Sequence, residues 1–81
     1  MTKEKFVSLV NQYIEDGFYS LEMEIEGGYI VGFNAFNVFP EDNRVSFINA
    51  VRYRKEDTVG ESKRSFYLCH TEYDKIKSVY I

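Results

Sequence analysis

The hydrophobic period of this chain changes once, at Gly17, and that change does most to restrict its fold. Before it, Phe6, Leu9, Val10, Tyr13 and Ile14 recur at steps of three and four. That spacing is one apolar stripe along a helix of about four turns. After it, Tyr19, Leu21, Met23 and Ile25 alternate strictly with Ser20, Glu22, Glu24 and Glu26. That is the period of a half-buried strand with an acidic outer face. Thr2 is placed to cap the helix, with Glu4 in the first turn near the positive end of the dipole. Gly17 falls where a left-handed C-terminal cap is wanted, and Phe18 can fold back onto the last turn. The pattern predicts a helix over about residues 2–16 and antiparallel strands over about 18–81.

Gly27-Gly28 is a hairpin turn signal. Tyr29 to Phe39 reads as one long strand, apolar on both faces, with Gly32 suggesting a bend or bulge. Pro40 to Asn43 reads as a turn. Val45 to Arg54 is a third strand, with Val45, Phe47, Val51 and Tyr53 on one face and Ile48 and Ala50 on the other. Lys55 to Ser62, with Gly60, is a connection, and Ser65 to His70 a fourth strand. Thr71 to Asp74 reads as a short polar turn and Ile76 to Ile81 as a final strand. No link is long enough for the crossover that a parallel sheet needs. The expected class is therefore α+β, mainly β: an N-terminal helix, then a four- or five-stranded antiparallel sheet. Such a sheet is expected to close as a small SH3/Sm-like barrel, the alternative being an open sheet with the helix on one face.

With 81 residues the chain is one domain, 1–81. Its 44% hydrophobic and 28% charged residues set it apart from disordered tails. Seven Phe and seven Tyr make an aromatic content of 17%, heavy loading for a small core. One Cys excludes an internal disulfide framework or a multi-cysteine zinc site. No apolar run is long enough to span a membrane. Met1 to Lys5 leads into an amphipathic pattern instead of a signal-peptide stretch, so a cytoplasmic location is expected.

The order of elements, with Gly28-Tyr29-Ile30-Val31-Gly32-Phe33-Asn34, resembles the Sm-like family, whose Gly-rich second strand ends in an apolar residue and then Asp. Asn34 stands in place of that Asp, and Asn37 lies one residue early for the Asn that follows it. Phe66-Tyr67-Leu68-Cys69-His70 is similar to the Tyr-Lys-His segment of the bacterial branch, with Cys69 in place of Lys. The Arg-Gly of the family's second signature is missing, while Ile76-Lys77-Ser78-Val79 is similar to its last turn and short strand. The resemblance implies rings that bind RNA or nucleotides, with Phe33, Asn34, Asn37, His70, Arg52 and Arg54 as the candidate contacts. A ring would also add burial to a thin core.

Charge points elsewhere. The net charge is −3. Residues 1–42 hold two Lys against eight acids, and residues 43–81 hold eight basic residues against five acids. Arg52, Arg54, Lys55, Lys63 and Arg64 cluster, but Glu56, Asp57 and Glu61 sit among them. An acidic domain is a poor default binder of nucleic acid. Cys69 and His70 are adjacent on a strand, so their side chains diverge and make no nucleophile–base pair. No catalytic residue, metal site or cofactor is expected. The first expectation is a small non-enzymatic interaction protein, a phage-type inhibitor or adaptor, docking on a basic protein through Glu22, Glu24, Glu26, Glu41 and Asp42. The alternative is the Sm-like nucleotide-binding ring, and an enzyme ranks last.

Overall fold

A computed structural model describes residues 1–56 and 65–81. The chain folds as one N-terminal helix followed by a curled antiparallel sheet, a half-barrel. Helix α1 spans Lys3–Glu15. Thr2 caps it, its Oγ1 accepting from the Lys5 N–H at 3.2 Å. Gly17 ends it at φ +87°. The Phe18 N–H donates to the Tyr13 carbonyl at 2.8 Å and the Gly17 N–H to the Ile14 carbonyl at 3.0 Å. These are the two bonds of a left-handed helix stop, and the Phe18 ring packs edge-on against Tyr13.

The strands are β1 (Ser20–Ile25), β2 (Tyr29–Asn34), β3 (Val38–Pro40), β4 (Arg44–Arg54), β5 (Ser65–Glu72) and β6 (Ile76–Tyr80). Their order is β3-β4-β2-β1-β6, with β5 also paired to β4. Thus β6 pairs with β1 and β5 with β4. Among the described residues no ladder joins β5 to β6, so the curl stays half-closed. Phe6 and Val10 of α1 press onto Leu21, Met23, Val31, Phe33, Val45, Phe47 and Val79. The Phe6 ring lies 6.3 Å from Phe33 and 6.0 Å from Tyr73.

Four details depart from the linear pattern. The strand expected over Tyr29 to Phe39 breaks at Asn34. The Asn34 side chain accepts from the Phe36 N–H at 2.8 Å and starts a 3₁₀ turn, Ala35–Asn37, before β3. A short polar side chain here outcompetes the sheet ladder. Gly32 carries no bulge, since it sits in regular register opposite both Glu22 and Val51. Register shifts instead in β4, between Ser46 and Ala50, where Asn49 takes φ +62°, and in the β1–β6 ladder between Glu24 and Ile25. Ile48 and Asn49 are both exposed, and alternation restarts one step over. Val45, Phe47 and Ala50 are buried, while Val51 and Tyr53 turn from the core, contrary to the expected face assignment. Finally, the expected polar turn Thr71 to Asp74 begins inside β5. Thr71 and Tyr73 are buried, and the turn is a 3₁₀ segment at Tyr73–Lys75. Most of the Lys55 to Ser62 connection, and Lys63 and Arg64 of the basic cluster, lie outside the described residues.

Candidate functional site

The carboxylates of β1 are not free. Register aligns Glu24 with Ile30 and Ile30 with Tyr53, so these side chains share the face turned from the core. Glu22 accepts from the Tyr53 hydroxyl at 2.5 Å, and Glu24 pairs with Lys55 at 3.0 Å. Burial, then the hydrogen bond to Glu22 and its charge, push the Tyr53 phenol up to about 12. Burial and the charges of Glu22 and Glu24 push Tyr80 up as well. Ile30 is buried on this face yet stands apart from the main core cluster. Glu22 and Glu24 are therefore half-buried parts of a polar network on the outer sheet face. Glu26 is exposed, and its backbone N–H donates to the Lys75 carbonyl at 2.9 Å.

The other predicted acids sit on the β3–β4 turn. Glu41 accepts from the Ser46 hydroxyl and lies 3.8 Å from Arg44. Asp42 pairs with Lys3 at 3.3 Å, with its side chain 97% exposed. The turn is pinned from below, because the Tyr73 hydroxyl donates to the Glu41 carbonyl at 2.7 Å. Register brings Glu72 of β5 opposite Arg44. The result is a shallow concavity lined by Glu41, Asp42, Asn43, Arg44 and Glu72. Pairing through exposed side chains leaves these carboxylates weakly held. Thus Glu22 and Glu24 fall on β1, Glu26 on the turn after it, and Glu41 and Asp42 on the β3–β4 turn, where Glu72 joins them. A register between β4 and β5 carries that addition, and such long-range pairing leaves no local signal.

The nucleotide-contact set is not assembled. Phe33 is 5% exposed, its ring 5.3 Å from Phe47 in the core, so it cannot stack on a base. Asn34 is engaged as the turn cap, and Asn37 is half-buried in that turn. His70 is exposed on β5 opposite Ser46, beside the free thiol of Cys69. Arg52 and Arg54 lie at the far end of β4, over the Tyr29 ring. Among the described residues no group of three or more His, Cys, Asp or Glu is placed to hold a metal ion.

Exposed aromatics are the feature the linear reading missed. Tyr19, assigned to the buried face, is 45% exposed and packs 4.8 Å from the exposed Phe36. Phe39 and Ile48 are exposed on β3 and β4, and Phe66 and Tyr67 on β5. The signal for the first pair is weak: Gly17 and Asn34 end their elements, leaving the neighbours at the rim of the sheet. No protein family, characterised protein or solved structure matches this chain.

Proposed function

We propose that this chain is a small non-enzymatic interaction protein, an inhibitor or adaptor, that docks on a basic protein surface through the β3–β4 turn. The observation that carries the reading is the concavity where Glu41, Asp42 and Glu72 gather around Arg44. Phe39, 48% exposed, immediately precedes Pro40 and Glu41 and adds an aromatic anchor beside the charge. Lys3 and Arg44 pair with these acids at the surface, and a partner's Lys or Arg can replace them at little cost. Glu22 and Glu24 hold Tyr53 and Lys55, which makes them supports of the sheet. The test is affinity capture from a host lysate with the wild type and with the triple variant Glu41→Lys, Asp42→Lys, Glu72→Lys. Capture of the same basic protein by the wild type alone, with unchanged circular dichroism of the variant, upholds the reading. Equal capture by both sinks it.

A second reading is favoured by the open edges of β5 and β6. Among the described residues β5 and β6 each have one partner strand, at opposite ends of the half-barrel. Joining the β5 edge of one copy to the β6 edge of the next would make a closed ring like those of the Sm-like family, and with it an RNA-binding pore. Native mass spectrometry decides it: a closed ring carries this reading, and a monomer at micromolar concentration removes it.

A further inference from the structure

We propose a binding site for a phosphate group at the corner formed by Tyr29, Arg52 and Arg54, at the opposite end of β4 from the acidic turn. Arg52 and Arg54 are among the nucleotide contacts of the second reading, but the corner is formed within one copy and needs no ring. The corner is a product of the β4 bulge. By shifting the alternation at Asn49, the bulge puts Arg52 and Arg54 on the same side of β4 as Ala50. Register then sets Arg54 opposite Tyr29 and Arg52 opposite Val31. The two guanidinium carbons lie 4.9 and 5.2 Å from the centroid of the one Tyr29 ring. Stacking on an aromatic face holds a guanidinium in orientation without using its N–H donors.

Two cations on one ring need a counter-charge, and the described residues supply little. Arg54 has Glu56 at 3.6 Å, a contact between side chains 54% and 75% exposed. Lys55, next along, is committed to Glu24 on the other face. Arg52 makes no ion pair among the described residues, and its Nε is buried without a hydrogen-bond partner. An unpaired cation with an orphaned donor is costly, and an oxyanion presenting two oxygens would compensate its charge. The neighbouring surface is open to a ligand. A recess lined by Gly27, Gly28, Lys55 and Glu56 reaches Arg54. Phe66 stands opposite Arg52 in register and is 57% exposed, an apolar platform next to the charge. Paired arginines in forked geometry select phosphate, and the site would accept it free or as a nucleoside monophosphate.

The test is NMR titration of the intact protein, at low ionic strength, with inorganic phosphate and separately with adenosine monophosphate. The arginine Nε–H resonances and the Tyr29 ring signals are followed. Saturable shifts of Arg52, Arg54 and Tyr29 at millimolar ligand are expected. Arg52→Gln should weaken binding about tenfold or more, the loss of a charged hydrogen-bond pair. Arg54→Gln, an exposed change that leaves the fold intact, serves as a second variant should Arg52→Gln fail to fold, and should weaken binding similarly. Equal affinity for the two ligands assigns the site to phosphate alone. Tighter binding of the nucleotide adds Phe66 as a platform for the base; both results uphold the site. Absence of any saturable shift with either ligand, or wild-type affinity in the folded variants, overturns it.

Discussion

At the residue scale, Phe33 and Tyr53 show how position decides what an aromatic does. Phe33 touches Phe6 and Phe47 in the core. Phe33→Ala is expected to cost roughly 3–5 kcal/mol, read from the urea midpoint, with no loss specific to ligand binding. A loss below about 1 kcal/mol would mean that the ring is not packed as described. Tyr53 lies on the outer face, its phenol raised to about 12 by burial and by Glu22. The unfolded phenol releases its proton near the ordinary value of 10 while the folded one still holds it. The folded state then binds more protons, so stability is level below pH 10 and falls between 10 and about 12. Glu22→Gln should bring the Tyr53 ionisation down, as followed by ultraviolet absorbance of the phenolate. An unmoved titration would remove Glu22 as a cause.

At the scale of elements, α1 and β1 were legible because their signals are local. Thr2, Gly17 and the alternation through Ile25 act within a few residues, and each does so in the folded chain. β2 and β4 were less legible, for two reasons that lie in single asparagines. Asn34 turns its side chain onto the backbone and cuts the strand. Asn49 takes a left-handed backbone and shifts the alternation of everything after it in β4. A linear count from Val45 therefore sends Arg52 to the wrong side, and the Tyr29 corner could not be read from the sequence. The acidic turn could be, because Glu41 and Asp42 are contiguous; Glu72 could not, because it arrives through pairing. Asn49 tolerates its conformation better than most residues. Asn49→Val is expected to cost about 1–2 kcal/mol in chemical denaturation, and Asn49→Gly to cost nothing measurable. Equal stability of the Val variant would show that the bulge relaxes without strain.

At the scale of the whole molecule, the half-barrel has an uneven build. β1 and β2 are each paired on both sides, and they carry Leu21, Met23, Val31 and Phe33 of the core. Among the described residues β3, β5 and β6 are each paired on one side. Amide hydrogen exchange should therefore be slowest in β1 and β2 and faster in β3, β5 and β6 for the monomer. Edge strands protected as well as β1, in a way that fades on dilution, would mark assembly through those edges.

The two ends of β4 also differ in sign. Glu41, Asp42 and Glu72 gather at its start, and Arg52 and Arg54 at its finish. Such a chain has a permanent dipole lying along a bent strand. A basic surface approaching through solution exerts a torque on it before any contact forms, swinging the acidic end forward. The same torque would hold the arginine end outward, facing solvent, were the acidic end to dock as proposed. The two proposed ligands, a cationic protein and an anionic small molecule, would thus approach from opposite ends of β4.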